Sequence, residues 1–221
     1  MKDIPIVLNN YNRLTTTKKL ADDLSRLGYT NIHILDNKST YPPLLEWYDN
    51  CSYTVKRLED NLEQLAIYNS GYINEWLNKE PWIVYSDPDI ELNVNTPHDF
   101  IDTIISKMEK YSKTKGGLAL RIDDLPDNPY ANHFREWESK YWLNELEKDV
   151  YDAPIDTTFC VIKPGACFDY QAIRLGGDFT ARHVPWYTQF DNLDEEEKYY
   201  LEQSKDWSTY KRFYNNEIKP K

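Results

Sequence analysis

The chain has 221 residues, with 37 Asp or Glu against 26 Lys or Arg, which gives a formal net charge of −11 at neutral pH. That charge excludes a nucleic-acid-binding protein that works by general attraction to phosphates, because such proteins carry a basic surface. The 18 Tyr, 7 Trp and 7 Phe exclude a disordered acidic chain, since disorder accompanies a low aromatic content. The length and the 40% of hydrophobic residues predict one folded domain with a sizeable core.

The N-terminal sequence and the cysteines indicate the expected cellular location. The sequence has no apolar run long enough to cross a membrane, and its charged start MKDIPIVLNN lacks the apolar core of a signal peptide. Cys51, Cys160 and Cys167 are an odd number without a CxxC spacing, which argues against a disulfide framework or a zinc site. We therefore expect a soluble cytoplasmic protein without a transmembrane segment.

The first elements in chain order predict a βαβ unit. The apolar run 4–8 is typical of a buried strand, and the threonines at 15–17 supply an N-cap for a helix whose leucines recur at helical spacing. Gly28 ends that helix, and residues 31–35 predict the second strand.

The later elements continue the alternation of strands and helices. Helices are predicted at 44–48, 58–76, 100–111 and 134–146, strands at 82–85, 118–122 and 157–162, and a helical tail at 191–221. No repeat and no low-complexity linker interrupts them. We therefore expect a single α/β domain over 1–221, with a central, mostly parallel twisted sheet flanked by helices.

The segment Asp87-Pro88-Asp89 directly follows the predicted strand 82–85. In open α/β sheets, ligands bind at the carboxyl ends of the strands. Two carboxylates there would give a divalent cation one or two oxygen ligands and leave its other positions to phosphates and water. An acidic chain could hold an anionic diphosphate through such a cation. Asp and Pro are also common turn residues, so a simple turn is the alternative.

Polar residues also follow the first two predicted strands. Asn10 and Arg13 end the first strand, and Asp36 ends the second, so all three are expected near the same sheet edge. Asp36 could accept a hydrogen bond from a pyrimidine base or a ribose, or could cap a turn. The absence of glycine after the first strand argues against a dinucleotide fingerprint or a P-loop.

His183 is the best candidate metal ligand among the four histidines because of its neighbours Arg174 and Arg182. Guanidinium groups suit a diphosphate, and the alternative for both arginines is a solvated surface position. The alternative for His183, which lies in a polar segment that contains a proline, is a packing role.

Asp156 precedes the late strand 157–162 and could be a catalytic base, a contact to a sugar hydroxyl, or a strand cap. Glu136 and Glu138 form another carboxylate pair, but two residues apart on a helix they point to different faces.

Six segments in order resemble glycosyltransferases of the GT-A fold, specifically the family-2-like enzymes of bacterial capsule and lipopolysaccharide gene clusters, and also sugar transferases of large algal viruses. The segments are IVLNNYNRL, ILDNKSTYPPLLEWY, YSDPDIEL, YDAPIDTTFCVIKP, ARHVPWY and EEEKYYLEQSKDW, and they span nearly the whole chain. The resemblance implies a Rossmann-like nucleotide-binding half over about 1–90, an acceptor half over about 91–190 and the C-terminal tail.

The resemblance also implies roles for individual residues. Asp87 and Asp89 match the metal-binding DxD motif, with Asp89 the direct ligand and Asp87 nearer the ribose, and His183 matches a late histidine that completes the metal site. Asn10 and Arg13 match nucleotide-loop residues.

In the same way, Asp36 matches the contact to the base or ribose. The sequence departs from the family pattern in two ways. Members of that family often have glycine two residues after an Asn like Asn61, whereas this chain has Glu63, and the usual Glu-Asp pair of the catalytic helix is not evident.

Together these features predict a metal-dependent glycosyltransferase. The expected cofactor is a divalent metal, Mn²⁺ in preference to Mg²⁺, the donor is a nucleotide sugar, UDP-linked, and the acceptor is a glycan hydroxyl. The alternatives are a sugar nucleotidyltransferase, which should carry a Gly-rich basic loop after the first strand, and a non-catalytic carbohydrate-binding protein of the same fold.

Overall fold

Ten strands form one continuous sheet in the part of the chain that the structure describes. The computed structural model describes residues 1–165, 171–206, 208–215 and 217; Cys167, Trp207 and the last four residues of the predicted tail lie outside these ranges. The strands are β1 Ile6–Asn10, β2 Ile32–Asp36, β3 Thr54–Arg57, β4 Ile83–Ser86, β5 Ile90–Leu92, β6 Lys115–Leu120, β7 Glu145–Glu147, β8 Val150–Asp152, β9 Cys160–Ile162 and β10 Ala172–His183. Their order is β3-β2-β1-β4-β9-β6-β10-β8-β7, with β5 paired to β10.

Seven α-helices accompany this sheet among the described residues. They are α1 Thr15–Arg26, α2 Pro42–Asn50, α3 Ala66–Asn69, α4 Phe100–Lys110, α5 Pro129–Ser139, α6 Glu195–Gln203 and α7 Thr209–Tyr214. Short 3₁₀ segments lie at Glu63–Leu65, Tyr72–Glu75, Lys140–Trp142 and Val184–Tyr187.

Helical segments cover both faces of the sheet. On one face, Leu20 and Leu24 of α1 and Ile104 of α4 belong to the same buried cluster. On the other face, Ile67 and Trp76 belong to a second cluster. The predicted single α/β domain is thus confirmed. No helix in the described ranges combines the length and the apolar character that crossing a bilayer requires.

The prediction of a mostly parallel sheet is wrong, because the sheet is mixed. The strands β3, β2, β1 and β4 are parallel to one another, as is β6 to β10. By contrast, β9 runs antiparallel to both β4 and β6, and the pairs β10–β5, β10–β8 and β7–β8 are antiparallel. Among the late strands, β7 and β8 are joined by a short turn, which antiparallel pairing permits because it requires no long crossover.

Two predicted helices are wrong in extent. The segment 58–76 is broken into 3₁₀ turns and the single turn α3, and Gly71 interrupts it with a left-handed backbone (φ 72°). The helix predicted at 134–146 begins earlier, because Asn128 caps it by accepting a hydrogen bond from Ala131 N (2.8 Å). Its predicted second half turns instead into the β7–β8 hairpin.

The long strand β10, which the sequence does not predict, joins two parts of the sheet. Its first half pairs with β8, and its second half pairs with β5, with a register shift between Leu175 and Thr180. Gly177 lies within the shift at φ 59°, a conformation that glycine adopts without strain. The bulge lets one strand bring its last residue, His183, opposite Ile90 of β5.

The tightest backbone packing in the sheet lies at Gly117 of β6. A Cβ there would meet the carbonyl oxygen of Phe159 at 2.2 Å and Cδ1 of Ile155 at 2.6 Å. We expect Gly117→Ala to lower the free energy of unfolding by about 3 kcal/mol, as measured by urea denaturation, because backbone cannot move aside as a side chain can. Gly116→Ala is the matched control: its closest neighbour is the flexible Met108 side chain, so a smaller loss is expected. Equal losses would contradict this explanation.

Candidate functional site

A cavity of about 280 Å³ lies at the carboxyl ends of the parallel strands β1, β2 and β4. The register places Asn10 beside Asp36 and Leu8 beside Ser86, so the loops that leave these strands meet at one edge. The cavity is lined by Asn9, Tyr11, Arg13, Asn37, Asn61, Glu63, Gln64, Asp87, Pro88, Asp89, His183, Pro185, Tyr200, Ser204, Lys205, Ser208 and Tyr210.

Asp87 and Asp89 enter this cavity from the short connection between β4 and β5. The backbone N–H of Asp87 donates to the carbonyl of Thr157 (3.0 Å), and the Thr157 hydroxyl donates to Asp87 Oδ2 (3.0 Å). Asp89 Oδ1, by contrast, is buried and has no hydrogen-bond partner among the described residues. The two carboxylates of one motif therefore differ in how free they are to bind a ligand.

His183 reaches Asp89 through the pairing of β10 with β5. The N–H of Val184 donates to the carbonyl of Asp89 (2.9 Å), and His183 Nε2 lies 3.4 Å from Asp89 Oδ1. The other ring nitrogen, Nδ1, is buried without a partner in the described part of the chain. The ring also packs edge-on against Trp186, with centroids 5.0 Å apart.

The three ionisable groups shift one another's pKa values. Burial together with the charges of Asp89 and Asp156 raises the pKa of Asp87 to about 7. Burial also raises the pKa of Asp89, but His183 and Arg13 outweigh this effect and hold the pKa below its ordinary value. For His183, burial lowers the pKa, and the neighbouring carboxylates, Asp89 first, more than offset this, so its net pKa is raised.

Arg13 is the buried cation of the cavity, with 1% of its surface exposed. Its Nη1 donates to Oε1 of Glu197, and its guanidinium carbon lies 3.7 Å from the centre of the Tyr200 ring. Its Nε and Nη2 have no partner among the described residues. Burial lowers the pKa of Arg13, but Glu197 raises it more, so the group stays charged.

The two arginines predicted to bind the diphosphate lie outside this cavity. Arg174 is buried, where its Nη1 pairs with Glu138 and its Nε donates to the carbonyl of Pro154 (2.8 Å). Arg182 donates to Asp124 Oδ2 from Nε (2.8 Å) and lines a second, polar cavity of about 560 Å³ behind β5. Because neighbouring strand residues face opposite sides, Arg182 points away from the side that His183 occupies.

Two further predicted nucleotide contacts lie beneath the cavity rather than in its wall. Asn10 donates from Nδ2 to the carbonyl of Arg13 (3.0 Å) and to the hydroxyl of Tyr48 (2.7 Å). Asp36 is fully buried, where Oδ1 accepts from the Tyr48 hydroxyl (3.0 Å) and Oδ2 from Ser39 N (3.0 Å). Both residues hold the strand-end loops in place, and their contact to a base or ribose stays a prediction.

Asp156 lies beside the cavity, one residue before the threonine that holds Asp87. It is exposed, and its Oδ1 accepts from Thr158 N (3.0 Å) and Oγ1 (2.7 Å). Although part of the residue is exposed, the protein around its carboxylate displaces water, which raises the pKa of Asp156. The Thr158 hydrogen bonds and the Arg174 charge outweigh this, and the net pKa is lowered. Asp156 is therefore ionised at neutral pH.

The sequence did not predict the polar loop that forms one end of the cavity. Asn9 Nδ2 donates to the carbonyl of Glu63 (3.1 Å), and Asn37 Nδ2 donates to Asn9 Oδ1 (2.6 Å). Asn61 Oδ1 accepts from Glu63 N (2.9 Å), and Glu63 itself has a left-handed backbone (φ 65°). Glu63 stands where the resembled family often has glycine, and this difference was the sequence feature that could have indicated an unusual loop here.

The C-terminal helices α6 and α7 close the cavity, which sequence reasoning also missed. Glu196 accepts from the N–H groups of Leu14 (3.0 Å) and Thr15 (3.1 Å), the free donors at the start of α1. Lys205 pairs with Glu63 across the cavity. The helices α6 and α7 also pack against α5 through an aromatic cluster: Tyr130, Phe134, Phe190, Tyr200, Tyr210 and Phe213.

No protein-family model matches the chain, and no curated protein matches it in sequence. In the described ranges, no group of three or more His, Cys, Asp or Glu side chains is arranged to hold a metal ion by itself.

Proposed function

We propose that the protein is a metal-dependent glycosyltransferase that moves a sugar from a nucleoside diphosphate donor, UDP-linked, to a hydroxyl group of a glycan acceptor. The observation that carries the proposal is that Asp87, Asp89, His183 and Arg13, distant in sequence, line one cavity at the carboxyl edge of parallel strands. That edge is the usual ligand-binding position in α/β sheets.

The donor atoms at this position fit a divalent cation that also takes phosphate ligands. Asp89 Oδ1 is buried without a hydrogen-bond partner among the described residues and lies 3.4 Å from His183 Nε2, so one cation could contact both atoms. A buried polar atom of this kind is costly unless a ligand satisfies it. A cation held by one or two side chains completes its coordination with phosphate oxygens and water. When bound, the cation would neutralise the charge that develops on the departing diphosphate.

Arg13 would take the diphosphate role that the sequence predicts for Arg174 and Arg182. Its Nε and Nη2, unpartnered in the described structure, lie on one edge of the guanidinium group. Two parallel N–H donors match two oxygens of a phosphate, and they gain strength in a buried site. Stacking on Tyr200 keeps the guanidinium plane fixed.

The acceptor hydroxyl must lose a proton to a carboxylate if the transfer inverts. Asp156 stays our proposal for that base. It does not itself line the cavity, but its neighbour Thr157 donates a hydrogen bond to Asp87, which does. The pKa of Asp87, about 7 in the metal-free protein, would fall beside the proposed cation, so we do not assign the role of base to Asp87.

The test is to measure hydrolysis and transfer of a panel of nucleotide sugars, with UDP binding followed by calorimetry in Mn²⁺ and in EDTA. We expect UDP binding to require the cation. A saturating donor at 100 times its Kd should raise the free energy of unfolding by roughly 2.7 kcal/mol. Equal UDP affinity in EDTA and in Mn²⁺ would contradict the proposal, and sugar binding without donor turnover would favour a non-catalytic carbohydrate-binding protein.

A further inference from the structure

The contact between Arg13 and Glu197 joins the loop after β1 to helix α6, 184 positions later in the chain. Arg13 is the largest of the fully buried side chains. A buried guanidinium group needs a negative partner, since an unpaired buried charge is costly. Glu197 is that partner, but it satisfies only Nη1. It leaves Nε and Nη2, both buried, without a partner among the described residues, and we call the edge that they form the open edge.

Glu197 is itself fixed on both sides. Its Oε2 accepts from the Tyr210 hydroxyl (2.6 Å), and its backbone N–H donates to Asp194 Oδ1 (2.8 Å), the N-cap of α6. The Tyr210 hydroxyl also lies 3.1 Å from Thr188 Oγ1. The carboxylate therefore has one oxygen for Arg13 and one for Tyr210, and neither side chain can swing without breaking a charged hydrogen bond.

This arrangement has two effects on the open edge of Arg13. Glu197 and the Tyr200 ring fix the guanidinium plane, so the open edge keeps one orientation beside the cavity that Arg13 lines. The negative charge of Glu197 at the same time offsets part of the positive charge that a phosphate would meet. Position and charge thus act in opposite directions on anion binding.

We propose that Glu197 is a positioning residue that holds the open edge of Arg13 ready for a phosphate group of the ligand, and that its charge limits how tightly that phosphate binds. This inference rests on the proposed function, because it takes the ligand of the cavity to carry a diphosphate. Glu197 does not touch the ligand in this scheme; it acts through Arg13.

Two substitutions at Glu197 separate the two effects. Glu197→Gln keeps an oxygen for Arg13 and a polar partner for Tyr210 but removes the charge, so inorganic pyrophosphate should bind about threefold to tenfold more tightly. Glu197→Ala removes the contact and frees the guanidinium, so pyrophosphate should bind at least about tenfold more weakly. A merely structural role would weaken binding in both variants.

Glu196 offers a matched control on the same helix, because its carboxylate holds the start of α1 and makes no hydrogen bond to Arg13. Its Gln and Ala variants should change pyrophosphate affinity by about twofold or less, in the same direction. In an Arg13→Lys background, which lacks the two-donor edge, the difference between Gln and Ala at position 197 should vanish.

The experiment is calorimetry of inorganic pyrophosphate, with and without Mn²⁺, on the full chain and these variants, with circular dichroism to verify folding. Opposite signs for Gln and Ala that depend on Arg13 support the inference, even if no sugar transfer is found. Effects of the same sign, or no pyrophosphate binding to the unmodified protein, overturn it. Sugar transfer that is retained together with effects of the same sign would leave the proposed function standing and reject only this inference.

Discussion

Replacing Asp89 by Asn should weaken UDP binding in Mn²⁺ by at least about 100-fold, which corresponds to roughly 2.7 kcal/mol. Asn keeps the shape of the side chain and removes its charge. Asp89 combines a lowered pKa with a buried oxygen that no described residue satisfies, so it is the carboxylate best prepared to bind a cation. An amide oxygen is a far weaker ligand for a hard cation than an ionised carboxylate.

The measurement is calorimetry of UDP with Mn²⁺ and with EDTA on the unmodified protein and the variant. Asp87→Asn should have a smaller effect, because one oxygen of Asp87 is already occupied by a hydrogen bond from the Thr157 hydroxyl. Asp152→Asn, which changes the same charge on β8 outside the cavity, is the charge-matched control. If Asp89→Asn binds UDP within about threefold of the unmodified protein in Mn²⁺, the cation lies elsewhere or is not needed.

The sequence predicted the edge of the site well because that edge depends on local order. A buried strand followed at once by a polar residue places the residue at a strand end, and parallel strands put their ends together. Arg13, Asp87 and Asp89 follow β1 and β4 in this way, and all three line the cavity. Asp36 obeys the same rule, but its carboxylate is turned inward to Tyr48.

The positions of the late arginines could not be derived in the same way. Which face Arg174 or Arg182 takes depends on β10, whose bulge between Leu175 and Thr180 breaks the alternation of faces. Without the bulge and the partner strands, the sequence does not determine the face. The contact of His183 with Asp89 likewise depends on the β10–β5 register, which is long-range information.

The closing of the cavity by α6 and α7 was also beyond the sequence. The predicted tail was helical, but its docking is decided by the contacts of Glu196 and Glu197 with Thr15 and Arg13. Nothing in the local pattern of an acidic helix start distinguishes such contacts from solvated charges. Glu63 was a better signal, because it stands where the resembled family often has glycine, and its left-handed backbone costs of order 1 kcal/mol.

Replacing His183 by Ala should reduce UDP binding in Mn²⁺ by about 100-fold at pH 8 and should flatten its dependence on pH. Only a neutral imidazole can bind a metal ion, so a proton competes with the cation for this side chain. Because the pKa of His183 is raised, chiefly by Asp89 against the effect of burial, the loss of metal affinity should set in above the reference histidine value of about 6.5. Affinity should then fall by up to about tenfold per pH unit.

The stability of the metal-free protein should change with pH in the opposite direction to its metal affinity. A raised pKa in the folded state means that the protonated His183 stabilises the fold fully below the unfolded value, and this contribution is lost as the pH rises through the folded value. Mn²⁺ should therefore stabilise the protein most at the alkaline end, where the contribution of the His183–Asp89 ion pair has disappeared. Thermal melts from pH 5.5 to pH 8.5, with and without Mn²⁺ and UDP, measure both effects.

Two further comparisons complete this test: Mn²⁺ against Mg²⁺, and His183→Ala against a control substitution at a second histidine. Imidazole nitrogen suits Mn²⁺ better than Mg²⁺, so Mn²⁺ should support tighter UDP binding in the unmodified protein, and the His183→Ala variant should lose much of that preference. His98→Ala is the control, since that histidine is exposed and lies outside the cavity; it should keep the pH profile unchanged. A His183→Ala variant with unaltered Mn²⁺-supported UDP binding and pH profile would leave His183 with a packing role beside Trp186, with which its ring makes an edge contact.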